Sequence, residues 1–254
     1  MINKVIAGHG VRKTGLEIAR GICAKLLRED SSYSIAGKLV LNWGKSDAEG
    51  LPGYADATFL NTPSAVSIAS SKIATLGLIG EEFSVACTTE HATACAWAEH
   101  GGVMGRDLDR GYGGRGITVY AQGDTIGTHR FYTKYFKARD EYRIHVGKKT
   151  DGTYAVIDCQ RKSLRQDDQR PDTPQFAVRN HENGFIFERG VDVPDIVKAV
   201  SMGAISTIGL DFGAVDIKHN ASSNEVKVLE INTAPGLTGT TLENYINFFG
   251  EHYA

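Results

Sequence analysis

The feature that most constrains this chain is a predicted β-hairpin near its C-terminus that carries oxygen-bearing side chains. Two apolar runs flank the polar stretch 218–225, a pattern that predicts two antiparallel strands joined by a turn. Side chains alternate between the two faces of a strand, so Glu230 and Asn232 share one face. A turn centred near residues 222 to 223 places Asp216 opposite or diagonal to Glu230, close enough for contact. Two carboxylates then crowd one spot.

The chemistry of this cluster favours a divalent cation. Two crowded carboxylates repel each other, and without a cation one of them should stay protonated. Mg²⁺ prefers oxygen ligands from one or two carboxylates together with substrate phosphates. Asp216, Glu230 and Asn232 are therefore predicted to hold Mg²⁺, with Mn²⁺ as an alternative. An exposed polar face of a two-stranded ribbon would account for any one of these residues alone.

Composition narrows the class of partner. The 254 residues include 28 basic and 30 acidic side chains, so no general attraction to nucleic acid or anionic lipid is expected. No signal-like or membrane-length apolar stretch occurs in the sequence, which predicts a soluble cytoplasmic protein. Its four cysteines form no C-x-x-C pair, so a disulfide framework or a zinc site is not expected. Small-molecule chemistry is favoured.

A glycine-rich segment at 111–116 matches G-x-G-x-x-G formally. A dinucleotide fingerprint should open a helix, but strand-like sequence follows at 117–120. A glycine loop between strands can instead lie across a triphosphate, because bare backbone N–H groups approach phosphate oxygens without Cβ clashes. A simple glycine-rich hairpin is the alternative. The candidate phosphate-binding glycines are Gly111, Gly113, Gly114 and Gly116.

The tripeptide Asp211-Phe-Gly213 makes a protein kinase worth testing, since kinases combine a glycine loop with a metal-binding D-F-G. No H-R-D-type catalytic loop lies between the two motifs, and no lysine in a V-A-I-K context follows the glycine loop. Asp216 is also better placed than Asp211 for a metal. A protein kinase is therefore not expected.

Periodicity and turn signals predict the remaining elements. A polar, proline-broken run at 167–174 predicts an exposed loop. The predicted helices lie at 14–28, 64–78, 90–100 and 194–208, and the predicted strands outside the hairpin at 38–43, 117–120, 142–146 and 154–157.

Taken together, these motifs resemble the ATP-grasp superfamily, particularly the RimK-like and D-alanine–D-alanine ligase-like carboxylate–amine ligases. The resemblance spans roughly residues 60 to 240, and it implies an α+β (α/β) fold in which two α+β lobes clasp ATP behind a small N-terminal α/β domain. The implied domains are 1–66, then a central lobe with the glycine-rich lid at 67–132, and a C-terminal lobe with the metal site at 133–254. The segments that carry the resemblance are Lys72, 103–106, 111–116, 141–146, 209–216 and 230–232.

The resemblance also implies roles for single residues. Lys72 and Arg106 match two basic positions that contact ATP phosphates, beneath the glycine loop as a lid. Arg143 matches the basic residue that faces the reacting phosphate and carboxylate. The remaining matches are the adenine-reading hinge Lys134, Tyr135 and Phe136, a second wall with Arg161, Lys162, Arg179 and Asn180, and the metal ligands Asp216, Glu230 and Asn232.

The activity implied is an ATP- and Mg²⁺-dependent ligase that activates a carboxylate as an acyl phosphate and joins it to an amine. Phosphoryl transfer is mainly positioning and charge neutralisation, so no side-chain nucleophile is needed. The expected substrates are a small-molecule carboxylate and an amine, and a peptide or protein acceptor and a homo-oligomer are left open.

Two alternatives stay open for the function. One is an ATP-grasp kinase that phosphorylates a hydroxyl, and the other is a non-catalytic ATP-binding module. The module is motivated by two departures from the family pattern, since Arg106 stands where Lys is common and Lys134 where an acidic residue is frequent.

Overall fold

The computed structural model describes residues 4–8, 12–27, 31–111, 113–165 and 178–253. The loop predicted at 167–174 lies outside the described residues. The helices are α1 (Arg12–Gly21), α2 (Pro63–Ser70), α3 (Lys72–Ile79), α4 (His91–His100), α5 (Asp195–Ile208) and α6 (Gly239–His252). The strands are β1 (Lys4–Gly8), β2 (Lys25–Leu26), β3 (Leu39–Trp43), β4 (Thr58–Leu60), β5 (Cys87–Thr88), β6 (Val103–Arg106), β7 (Ile117–Tyr120), β8 (Phe131–Lys134), β9 (Asp140–Lys148), β10 (Tyr154–Leu164), β11 (Phe185–Arg189), β12 (Phe212–Asn220) and β13 (Glu225–Asn232).

The strands form three sheets, which confirms the predicted mixture of helices and sheets. The first sheet is parallel, with the order β2-β1-β3-β4. The second has the order β5-β8-β6-β7 and is antiparallel. The third, β11-β10-β9-β12-β13, is also antiparallel. In the described part of the chain, no helix has the length and apolar character to cross a membrane.

Two predicted helices end differently in the structure. The prediction of one helix over 14–28 is wrong, because α1 ends at Gly21 and Cys23 adopts a left-handed backbone with φ +54°. The chain then pairs with β1 as β2, so its apolar side chains Ala24 and Leu26 pack against the core, partly buried, without helical structure. The region 64–78 contains two helices, since the Ser71 hydroxyl accepts a hydrogen bond from the Ala74 N–H and begins a new helix there.

The third sheet has one apolar and one charged face, as alternation along its strands requires. On β9, Tyr142, Ile144 and Val146 belong to a core that α5 covers. Glu141 and Arg143 lie on the opposite face and line a cavity. The same strand thus contributes to the core and to the charged cavity wall.

The predicted hairpin is confirmed, including its register. Asp216 on β12 lies directly opposite Glu230 on β13. A β-bulge then adds one residue to β13, so that Ile217 faces Val228 and Leu229 has no partner on β12. The bulge changes the parity of β13, and for this reason both Ile231 and Val228 can face the core.

Asn61 joins the first sheet to the third. This buried residue has φ +64°, and its side-chain oxygen accepts hydrogen bonds from the backbone N–H groups of Asp211 and Phe212. Its amide nitrogen donates to the Phe212 carbonyl at 2.9 Å. The Trp43 ring stacks on the Phe212 ring with centroids 5.3 Å apart. These contacts fix the start of β12 against the N-terminal sheet.

Candidate functional site

The charged face of the third sheet forms one wall of a cavity of about 470 Å³. The second sheet and the segment after β8 supply the other side, and the glycine loop lies at its margin. The predicted site residues in its lining are Arg106, Gly113, Gly114, Lys134, Tyr135, Phe136, Arg143, Lys162, Arg179, Asn180, Asp216 and Glu230. The structure therefore brings most of the predicted residues to one cavity.

Asp216 is the centre of a buried ion-pair network on the cavity floor. Its carboxylate accepts two hydrogen bonds from Arg143, at 2.6 Å from Nε and 2.8 Å from Nη2. Lys162 Nζ donates a third at 3.1 Å. Two bonds from one guanidinium fix the geometry as well as the charge. Asp216 thus has two cationic partners in the protein itself.

Glu141 is a second buried acid in the same network. Lys162 Nζ donates to Glu141 Oε1 at 2.6 Å, and Arg179 Nε lies 3.8 Å from Oε2. Arg179 also donates to the backbone carbonyls of Ala138 and Arg139. Three cations and two carboxylates therefore share this floor, which leaves an excess of positive charge facing the cavity.

Burial and charge oppose each other in setting the pKa values of this network. Burial raises the pKa of Asp216, but the charges and hydrogen bonds of Arg143 and Lys162 outweigh it and hold the pKa well below its usual range. Burial lowers the pKa values of Arg143 and Lys162, but the charge of Asp216, the neighbouring glutamates and the hydrogen bonds to these acids together outweigh that effect, so both pKa values are raised. All three groups are ionised near neutral pH.

Lys72 lies against a second, smaller cavity of about 280 Å³. Its Nζ is 3.3 Å from Glu230 Oε2 and donates a 2.8 Å hydrogen bond to the Gly111 carbonyl. Asn232 and Gly111 also line this cavity, whereas Glu230 lines both. Gly116 and Arg161 line neither cavity, and the other predicted residues are divided between two cavities that meet at Glu230.

The glycine loop is held against the segment that begins at Val178. Gly113, Gly114 and Gly116 all have positive φ, a conformation that favours glycine. Asn180 Nδ2 donates a 2.7 Å hydrogen bond to the Gly113 carbonyl. A Cβ added at Gly114 would lie 2.4 Å from a Val178 methyl. Only glycine allows this close approach at position 114.

Arg106 and Lys134, the two positions that depart from the family pattern, both line the larger cavity. The guanidinium of Arg106 is buried, and its Nε donates to Thr133 Oγ1 at 3.2 Å. Burial lowers the pKa of Arg106, and the charge of Glu230 offsets part of that effect. Lys134 Nζ lies 5.2 Å from the Trp97 ring centre, and the Lys134 and Tyr135 N–H groups bond to the Ala86 and Gly102 carbonyls.

Comparisons with known proteins rest on structure. No protein-family model and no curated protein sequence matches the chain. The ATP-grasp ligase PsnB, solved with a phosphomimetic variant of its minimal precursor, Mg and ADP, superposes with a TM-score of 0.63 at 14% identity, covering 97% of this chain and 98% of PsnB. N5-carboxyaminoimidazole synthetase from Staphylococcus aureus, complexed with ADP, gives a TM-score of 0.68 at 12% identity over 99% of this chain and 77% of that one. The chain has the ATP-grasp fold.

A third ATP-grasp structure, the VanG D-Ala:D-Ser ligase from Enterococcus faecalis, matches with a TM-score of 0.63 at 13% identity. It covers 98% of this chain and 96% of that one. Sequence identities this low establish the ATP-grasp fold alone. The fold predicted from the sequence is therefore confirmed, while the role of each site residue stays a prediction.

Several residues of the larger cavity were missed from the sequence. Lys218 follows Asp216 by two residues, so strand alternation would have placed it on the same face. The Phe187 ring lies 4.4 Å from the Arg143 guanidinium, and Arg189 donates to the Thr238 carbonyl. Arg161, matched to the second wall, instead pairs at 2.8 Å with Glu188 outside the cavity lining.

The donor set predicted for the metal fits Mg²⁺ in its chemistry. Asp216, Glu230 and Asn232 all offer oxygen. The buried Asn232 amide nitrogen has no hydrogen-bond partner among the described residues, so the carboxamide is free to turn its oxygen to a cation. Within the described ranges, no three His, Cys, Asp or Glu side chains form a group that could hold a metal. A metal site on this hairpin would therefore use the Asn232 amide oxygen in addition to the two carboxylates.

The crowded carboxylates of the hairpin do not need a metal for charge balance. The sequence shows two crowded carboxylates and suggests that only a cation prevents one from protonating. In the structure Asp216 pairs with Arg143 and Lys162, and Glu230 pairs with Lys72. These side chains supply the counter-charge, so the protein itself relieves the repulsion. A bound metal would compete with these ion pairs.

Proposed function

We propose that the protein is an ATP- and Mg²⁺-dependent ligase that activates a carboxylate and joins it to an amine. The observation that carries the proposal is the set of half-buried cations Arg143, Lys162 and Arg179 around the buried carboxylates of Asp216 and Glu141, in the wall of the larger cavity. Cations fixed in place before the reaction stabilise the charge that develops in phosphoryl transfer. The same cations would attract an anionic acid substrate.

The fold neighbours support ATP and Mg²⁺ as ligands. PsnB was solved with Mg and ADP and with AMPPNP, and the S. aureus synthetase with ADP. Asp216, Glu230 and Asn232 would hold Mg²⁺, which when bound neutralises phosphate charge. Lys72, Arg106 and the N–H groups of the glycine loop would contact phosphates. The hinge Lys134, Tyr135 and Phe136 would contact adenine.

The chain's own residues would orient the acid. Arg143 uses Nε and Nη2 to bind Asp216 in the structure, and its remaining Nη1–H and Nη2–H groups could bind the substrate carboxylate through two further N–H bonds. Lys162 and Arg179 would hold the excess negative charge nearby. The carboxyl oxygen would attack the γ-phosphorus of ATP, and ADP would leave as the acyl phosphate forms. The amine would then attack the acyl carbon, inorganic phosphate would leave, and the nitrogen would lose a proton to give the amide. This route requires no side-chain nucleophile.

The acceptor is proposed as an amine on an amino acid, peptide or protein. PsnB was solved with a precursor peptide, which supports a peptide as one kind of acceptor. We keep 1–66, 67–132 and 133–254 as the proposed domains. We also propose a cytoplasmic location, supported by four cysteines that form no disulfide.

The proposal is tested with purified protein, ATP, Mg²⁺ and panels of carboxylic acids and amines, scoring ADP release and condensed products by mass. Glu230→Gln should lower turnover by at least about 100-fold, since it removes a charged metal ligand. Glu225→Gln, in the same hairpin at an exposed position, should leave turnover unchanged. A phosphorylated alcohol without any amide, or ATP binding without turnover on any panel, would contradict the ligase.

A further inference from the structure

Lys218 is a buried cation in the larger cavity that no step of the proposed reaction uses. Its side chain lies on β12, and the residue is only 4% exposed. The Nζ atom lies 3.4 Å from the Phe136 carbonyl oxygen and 4.9 Å from the centre of the Tyr135 ring. The protein therefore holds a lysine ammonium against the carbonyl and the aromatic ring of the hinge.

The neighbourhood of this ammonium suits a flat ring. Val85, Met104, Ile117 and Leu229 line the same cavity and are apolar. Lys218 follows Asp216 by two residues, so their backbones are about 7 Å apart along the strand. A nucleotide whose phosphates lie beside Asp216 and Glu230 can therefore place its base near Lys218. Apolar walls with a few polar groups are typical of such subsites.

The chemistry of an ammonium discriminates between purines. A lysine ammonium has hydrogen-bond donors and no acceptor. Adenine carries a donor amino group at position 6, whereas guanine and hypoxanthine carry an acceptor oxygen there. The Phe136 carbonyl could accept from a 6-amino group with its second lone pair, but it already accepts from Lys218, so the amino group would lie beside the ammonium. A 6-amino group would meet a competing donor, and a 6-oxo group would meet a partner.

We propose that Lys218 determines base specificity, and that the nucleotide site accepts 6-oxopurine triphosphates at least as well as ATP. The inference rests on the proposed function in one respect, that a nucleoside triphosphate occupies the larger cavity. It assigns to Lys218 a contact with the base edge, separate from the metal ligands and from the phosphate-binding cations.

The experiment compares ATP with ITP, whose base is hypoxanthine, by calorimetric titration in the presence of Mg²⁺. Wild-type protein should bind ITP at least as tightly as ATP. Lys218→Met keeps the side-chain length and removes the donor, so it should shift the ratio of the two dissociation constants by about tenfold towards ATP. Lys198→Met, at a lysine on α5 that pairs with Asp195, is the matched control and should leave the ratio unchanged.

Two results would overturn the inference. One is wild-type protein that binds ATP more than about threefold tighter than ITP, and the other is a Lys218→Met ratio within about threefold of wild type. The wild-type comparison decides even if the variant fails to fold. Protein that binds no nucleoside triphosphate would instead overturn the proposed function, so the two failures are distinguishable.

Discussion

Protonation of His145 should destabilise the protein in mildly acidic solution. The residue is 1% exposed on β9, and its Nδ1 lies 3.1 Å from the Tyr245 hydroxyl. Its Nε2 has no hydrogen-bond partner among the described residues. Burial, followed by the nearby charge of Arg143, lowers the pKa of His145 from 6.5 to about 4. The folded protein therefore keeps this imidazole neutral at pH values where the unfolded chain protonates it.

The sign and size of the effect follow from proton linkage. Because the unfolded chain binds the proton more tightly, stability is complete above pH 6.5 and falls as the pH drops towards 4. The loss attributable to His145 is about 2 kcal/mol at pH 5 and roughly 3 kcal/mol at pH 4. Such a loss is a large part of the stability of an ordinary domain.

The assay is urea unfolding of wild-type protein and of His145→Gln at about pH 7 and about pH 5. The drop in unfolding free energy between the two pH values should be about 2 kcal/mol larger for wild type. Comparing these decreases in unfolding free energy cancels the part of the substitution's effect that does not depend on pH. His100→Gln, at an exposed position, should behave like wild type. Equal drops for wild type and His145→Gln, within about 0.5 kcal/mol, would refute the reasoning.

Two further substitutions test the loop and the connection between sheets. Gly114→Ala places a Cβ 2.4 Å from Val178, whereas Gly113→Ala has a similar φ and meets nothing within 4 Å. Both should cost about 1 kcal/mol of backbone strain, but Gly114→Ala, which must also displace Val178, should weaken ATP binding more than Gly113→Ala in a titration. Equal ATP affinities of the two variants would contradict this order. Asn61→Ala should lower the unfolding free energy by about 2–4 kcal/mol, because it leaves buried backbone groups of 211–212 unpaired. Asn61→Gly removes the strain of the positive φ and so measures the loss of the side-chain hydrogen bonds alone. If it lowers the unfolding free energy in urea by less than about 1 kcal/mol, Asn61 does not hold the two sheets together as described.

The hairpin was predictable because its information is local. Alternation of side chains and a polar turn place Asp216 opposite Glu230, and the structure has this pairing. The β-bulge was not predictable, since the core decides which residues of β13 are buried. The end of α1 was missed for a related reason. Helical spacing of apolar residues continues past Gly21, but tertiary pairing with β1 takes the chain instead.

Long-range pairing accounts for what the sequence did not show about the site. Nothing local indicates that Arg143 and Lys162 both reach Asp216, because the three residues lie on three adjacent strands. The division of the site into two cavities depends on how Lys72 meets Glu230. The side of the sheet on which Arg161 lies depends on the register of β10, where it faces Tyr142. By contrast, side-chain alternation along β12 from Asp216 would have predicted that Lys218 lies on the cavity face.

The two different faces of the third sheet limit which sequence changes the protein can tolerate during evolution. A deletion of one residue within β9 would move Arg143 to the apolar face and Ile144 to the charged face. A guanidinium would then enter the apolar core, and an alkyl side chain would enter the cavity. Insertions and deletions should therefore be rare within these strands and concentrated in the turns. Substitutions on the charged face leave the apolar core intact, so substrate preference can change while the fold is retained.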